Sequence, residues 1–236
     1  MISGIDARQF GEKIASALER VARDIAEGDA VHEDPTSGQI AGRIKEALVD
    51  FETETIAWQT TVAEGSKGRG KLHARSLTSK VVGSEEDYFG ADLVICLDIE
   101  TPETSVRKGF FVQSKSLSFG RHMTKKMNDE LREQCRKMVS VTAASIVFLY
   151  SEHGIHVVPA SAVLASQHRD IYSLSTWSAK VLFHDFSICW FGDPYIQATD
   201  PKSLESLRRI TRAREALLFR GRPNSRPYSE MEFTLD

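Results

Sequence analysis

Apolar positions along this chain keep two different rhythms, and the switch between them marks the elements. Ile5, Phe10, Ile14, Leu18, Val21 and Ile25 recur at helical spacing and predict an amphipathic helix over residues 5–27. A turn-rich linker, Gly28 to Gly38, follows, and then a second amphipathic stretch from Ile40 to Phe51. A strand ends near Glu64. Gly90-Ala91-Asp92-Leu93-Val94-Ile95 and Phe110-Phe111-Val112-Gln113-Ser114-Lys115 read as buried strands, being apolar and rich in Val, Ile and Phe. Residues 124–140 return to the helical period with Met127, Leu131, Cys135 and Met138. Ala144 to Tyr150 and Gly154 to Pro159 then form a β-hairpin turning at Glu152-His153-Gly154. The apolar run Val181 to Pro194 completes the core and ends in a turn, Leu204 to Phe219 reads as a helix, and Gly221 to Tyr228 as a flexible tail.

Polar residues inside the two buried strands carry the candidate chemistry. Side chains alternate faces along a strand, so Gln113 and Lys115, about 7 Å apart, share one face while Val112 and Ser114 share the other. With Asp92 opposite them on a neighbouring strand, the three converge. An unpartnered carboxylate or ammonium costs several kcal/mol to desolvate, so such groups flanked by Val, Ile and Phe point to a paired or metal-bound site. A carboxylate, an amide oxygen and an ammonium together can hold a divalent metal and a water.

The order of a Gly-Ala-Asp strand, a turn and an apolar strand ending Gln-x-Lys resembles the PD-(D/E)XK nuclease superfamily, in the variant form with Gln seen in Mrr-like restriction endonucleases. The resemblance covers about residues 38–160. It implies a restriction-endonuclease-like core, a central mixed β-sheet flanked by helices, laid out as helix, three strands, helix, strand. It further implies that Asp92 and Gln113 hold Mg2+, with Mn2+ as substitute and the Ser114 carbonyl as an added ligand, and that Lys115 orients the attacking water or stabilises the phosphate. Ala91 stands where the family name has Pro, and Gln113 where it has an acid. A neutral amide is the weaker ligand for a hard cation, so a further carboxylate is expected, from Glu46 on the first core helix or from Glu86 just before the Asp92 strand.

At 236 residues, 41% hydrophobic and 27% charged, the chain suits a single domain. The core then spans residues 38–160, with an N-terminal helical extension over 1–37 and a C-terminal extension over 161–236. No apolar stretch is long enough to span a bilayer and the N-terminus lacks signal-peptide character, so a cytoplasmic protein is expected. Cys96, Cys135 and Cys189 sit in apolar sequence and read as reduced core residues. The net charge of -3 gives no global sign of nucleic-acid binding, but local stretches do. Lys67, Arg69, Lys71 and Arg75 cluster before the Asp92 strand, and Lys202, Arg208, Arg209, Arg212, Arg214, Arg220 and Arg222 cluster near the C-terminus. The first cluster includes Gly65 to Leu72, which mimics a phosphate-binding loop but has Leu72 where a hydroxyl must reach magnesium, so an NTPase is not expected and a cationic loop closing over nucleic acid suits the spacing better. His153 and His156 flank a turn on opposite faces, and Ser161, Ser166 and His168 form no nucleophile motif.

Together these features predict a metal-dependent endonuclease acting on nucleic acid, double-stranded DNA above all, with restriction or antiviral defence as its setting by family analogy. A homodimer, or a partner protein that supplies targeting, is compatible with this size. The competing expectation is a catalytically inactive nucleic-acid-binding or regulatory module on the same fold; Gln113 favours it and Lys115 argues against it.

Overall fold

The apolar runs pair into one sheet because each is flanked by helices that bury both of its faces. The computed structural model describes residues 2–26, 36–53, 55–64, 89–102, 104–167, 169–174 and 176–224. In chain order these form α1 (Gly4–Ala26), α2 (Thr36–Ala47), β1 (Ile56–Glu64), β2 (Leu93–Glu100), β3 (Ser105–Ser116), α3 (Lys125–Val141), β4 (Ser145–Ser151), β5 (Gly154–Pro159), α4 (Ala160–Ala165), β6 (Trp177–Ser178), α5 (Ala179–Ser187), α6 (Pro201–Thr211) and β7 (Glu215–Pro223). The protein is thus α/β, with a seven-stranded mixed sheet in the order β1-β7-β2-β3-β4-β5-β6. Among the described residues no helix is long and apolar enough to cross a membrane.

Each face of the sheet has its own core. Leu93, Ile95, Phe110, Val112, Phe148 and Phe219 pack beneath α1, α2 and α5, where Phe10, Ile14, Ile44 and Phe183 are fully buried. Val94, Cys96, Phe111, Val147, Leu149 and Leu218 face the opposite way, toward Leu131, Cys135 and Met138 of α3 and Leu204 of α6. Phe10, Ile14, Leu18 and Val21 of α1 and Leu131, Cys135 and Met138 of α3 thus form the buried faces that helical spacing predicted, whereas Ile5, expected on the same stripe, is 60% exposed in the first turn of α1. Local caps fix where helices begin: Ser3 accepts from the Asp6 amide at the start of α1, and Thr124 accepts from the Met127 amide at the start of α3.

The chain order of helix, three strands, helix, strand is present as α2, β1, β2, β3, α3, β4. β2 and β3 are antiparallel, and α3 crosses over to bring β4 parallel to β3. The C-terminal segment departs from the expectation of an extension. Residues 215–223 insert as β7 between β1 and β2, antiparallel to the first and parallel to the second. The helix expected from Leu204 to Phe219 stops at Thr211, because Arg212 turns left-handed at φ 53°. Ala216 to Phe219 are buried on both faces, so a central strand presented the unbroken apolar run that helix spacing had seemed to explain. The run Val181 to Pro194 is α5 followed by a turn, and Gly221 to Pro223 belong to β7 rather than to a tail. Most of the Gly28–Gly38 linker and the segment after Asn224 lie outside the described residues.

Gly90 sets how the chain enters β2. Its φ is +72°, and a Cβ there would meet the Gln134 carbonyl oxygen of α3 at 2.5 Å and the Gln134 Cα at 2.8 Å. Both the dihedral and the close helix backbone demand glycine. Gly90→Ala is expected to destabilise the fold by about 2 kcal/mol or more, since left-handed strain and overpacking add; chemical denaturation of the variant beside wild type measures it.

Candidate active site

Antiparallel register puts Asp92 directly across from Gln113, since Leu93 pairs with Val112 and the Asp92 amide donates to the Val112 carbonyl at 2.9 Å. The Asp92 carboxylate accepts from the Gln113 side-chain amide at 2.6 Å and from the Ser114 backbone amide at 2.9 Å, both through Oδ2. The same Gln113 nitrogen lies 3.3 Å from the Ser114 carbonyl, to which it also donates. Lys115, two residues on, projects to the same face as Gln113. There it lies within electrostatic reach of Cys135 on α3, whose thiol burial pushes up to about 12 against the lowering pull of Arg132 and Lys115. The sequence reading that Asp92, Gln113 and Lys115 share one face at the same end of two strands agrees with this geometry.

The donor set fits a divalent cation in its oxygens more than in its charge. Gln113 Nε2 sits between the Asp92 carboxylate and the Ser114 carbonyl, two oxygens that a hard cation would also take. Gln113 Oε1 is buried with no hydrogen-bond partner among the described residues. Rotating this amide by half a turn would present three oxygens, from Asp92, Gln113 and Ser114, to one point, a set that suits Mg2+ or Mn2+ and not a soft metal. Charge is the weak part of the fit, for among the described residues no cluster of three or more His, Cys, Asp or Glu side chains is placed to hold a metal.

Two neighbours of Asp92 come from β7 and its approach. The Arg214 Nε lies 3.6 Å from Asp92 Oδ1, and the Glu215 amide donates to the Asp92 carbonyl at 3.1 Å. Arg214 had figured only as one member of a basic stretch. Its place beside Asp92 depends on the pairing of β7 with β2, which no local pattern announces. Ser114 and Tyr150 lie on the opposite face; burial pushes the Tyr150 phenol up, Ser114 opposes the shift and the charge of Asp92 adds to it.

The other candidate residues do not all gather here. Glu46 is exposed on α2, pairs with Arg43 at 3.3 Å, and belongs to a helix packed on the face opposite to Gln113 and Lys115. What α2 brings close instead is Gly38, where a Cβ would lie 3.0 Å from Glu215 Oε1. Glu86, the basic residues Lys67, Arg69, Lys71 and Arg75, the Gly65–Leu72 run and His168 lie outside the described residues. Cys96 and Cys135 are buried as expected, but Cys189 is exposed, carried outward by the turn after α5 at φ 72°. His153 and His156, expected on opposite faces, both lie against Phe119, with ring centroids 5.3 and 6.0 Å away. The hairpin turn swings His153 back over the face that His156 occupies.

No family model, no curated protein and no solved structure matches the chain significantly.

Proposed function

We propose that the protein is a cytoplasmic, metal-dependent nuclease of restriction-endonuclease-like fold that hydrolyses phosphodiester bonds in DNA. The observation that carries this reading is the buried Gln113 Oε1 beside Asp92, without a hydrogen-bond partner among the described residues, with Lys115 on the same face. An amide held this way, donating to a carboxylate and a carbonyl, sets two hard oxygens beside its own, the donor types a divalent cation takes. Bound Mg2+ would supply a water activated for attack and neutralise charge on the phosphate. Asp92, Gln113 and the Ser114 carbonyl would hold it. The protein's own share is positional and electrostatic: Lys115 orients the attacking water and Arg214, 3.6 Å from Asp92, offers a guanidinium to a phosphate oxygen. The chain order of its core strands and helices agrees with the resemblance, while β7 between β1 and β2 is an addition to it.

A second reading draws on one specific observation. Arg214 already faces the only charge among Asp92, Gln113 and Ser114, which would suit a binding module without catalysis. Calorimetric titration with Mn2+ separates the two. The site is one negative charge short, so Gln113→Glu is expected to tighten Mn2+ binding about tenfold and Gln113→Ala to weaken it below wild type. Cleavage of plasmid DNA with Mg2+, lost in chelator, is expected from the wild type alongside; three proteins with one indistinguishable Mn2+ affinity, and no cleavage, would favour the binding module.

A further inference from the structure

Beside Lys115 the sheet carries an open aromatic cluster that the proposed chemistry does not use. Lys115 pairs in register with Leu149 of β4, and Leu149 with His156 of β5. In-register partners share a face, so the His156 backbone lies two strands from Lys115, about 10 Å away, on the same side of the sheet. Phe119, at the end of the segment that continues β3, stacks on His156 with an interplanar angle of 29° at 6.0 Å and meets Tyr172 at 5.1 Å. Tyr172 is anchored by its hydroxyl to the Leu117 carbonyl and meets the His156 ring edge-on at 5.3 Å. The support beneath Phe119 is thus fixed, yet Phe119 itself is 51% exposed. Burial, and then its neighbour His153, push the His156 imidazole below its ordinary value, and its Nε2 is buried without a partner among the described residues.

Charge around the cluster favours a polyanion. Arg121, which acts on Glu152, is exposed, as are His122 and Arg169 in the segments that lead from Phe119 and into Tyr172, and Lys115 lies on the same face of the sheet. Two carboxylates face them: Glu152, which accepts from the Phe119 amide at 3.4 Å, and Asp170, which accepts from the Tyr172 amide at 3.1 Å. Both keep their charge, since an amide N–H is neutral, and they stand against the three full cations Arg121, Arg169 and Lys115, which leaves a small positive excess around the cluster. An exposed aromatic with a cationic rim, roughly three stacked base steps from a phosphate-handling lysine, has the form of a nucleobase platform. We propose that Phe119, backed by His156 and Tyr172, stacks an unpaired base of the strand being cut, so that the favoured substrate is single-stranded or locally opened DNA. This rests on the nuclease reading for the identity of the polymer.

Binding measured in chelator keeps the two claims distinguishable. A fluorescein-labelled oligothymidylate should lose about tenfold in affinity for Phe119→Ala, keep wild-type affinity for Phe119→Trp, and show the same salt slope in all three, because stacking removes no counterion. A blunt duplex should bind the three proteins alike. Near-ultraviolet irradiation of a 5-iodouracil-containing strand should crosslink it to Phe119, His156 or Tyr172. Equal affinity of wild type and Phe119→Ala for the single strand, or crosslinks only elsewhere, would overturn the platform whether or not DNA is cleaved. Phe119-dependent binding and crosslinking without any cleavage by the wild type would uphold the platform and count against the nuclease reading alone.

Discussion

Replacing Lys115 with Ala, or Asp92 with Asn, should slow plasmid cleavage about a hundredfold while leaving a folded protein. Lys115 is only half-buried and its ammonium closes no hydrogen-bond network with the described residues, so the fold should tolerate its loss. Asp92 accepts two hydrogen bonds through Oδ2, from Gln113 Nε2 and the Ser114 amide. Asparagine with its oxygen in the Oδ2 position accepts both and removes the charge, which makes Asp92→Asn a cleaner probe than Ala. Loss of a positioned charge where negative charge develops should raise the barrier by on the order of 3 kcal/mol, about a hundredfold in rate. Initial rates of supercoil relaxation with Mg2+ measure it, with thermal unfolding as the control for folding. A folded Lys115→Ala protein that cuts at the wild-type rate would remove Lys115 from the chemistry. Arg214→Ala is informative beside them: an arginine that serves the phosphate loses rate when removed, whereas one that merely blocks Asp92 leaves a tighter Mn2+ site.

How much of this could be read from the chain divides along the range of the contacts involved. Period-two alternation was enough to put Gln113 and Lys115 on one face, and the register completes the picture by setting Asp92 opposite Gln113. Leu131, Cys135 and Met138 of α3 were legible for the same reason, since a helical face is local information. Residues 215–223 were not, because a strand buried on both faces has no alternation to betray it, and its apolar run merged with the end of α6. With β7 went Arg214, more than a hundred positions from Asp92 in sequence and 3.6 Å from it in space. Cys189 failed differently: apolar neighbours suggested the core, but Cys189 follows α5 in a turn whose left-handed backbone points it outward. Glu46 was drawn from the resemblance rather than from spacing, and exposure on the far side of the sheet gives it no part in the Asp92 group.

The other large effect expected is on stability, at the far end of the same strand. Asp98 is fully buried in β2, six residues beyond Asp92, and three arginines close on its carboxylate. Arg107 lies directly across on β3 with Nε at 3.2 Å, and Arg220 directly across on β7 with Nε at 3.5 Å. Arg222 reaches Oδ2 at 2.5 Å and also donates to the Asp98 carbonyl at 3.1 Å. The carboxylate therefore joins β3, β2 and β7 through one side chain, and it is what allows three guanidinium groups to sit together. Asp98→Ala would leave them facing one another with Glu100, 3.7 Å from Arg222, as the nearest remaining counter-charge. Breaking a buried pair from the side of its shared partner costs about 3–5 kcal/mol, because the loss is of compensation rather than of one contact. Arg107→Ala should cost far less, about 1 kcal/mol, since Arg107 is partly exposed and two arginines still hold Asp98. Urea unfolding of the two variants should therefore rank them Asp98→Ala well below Arg107→Ala, and added salt should recover part of the Asp98→Ala loss by screening the arginines from one another. Equal midpoints for the two would mean that the Asp98 carboxylate adds no more than a single exposed ion pair to the pairing of β2 with β7.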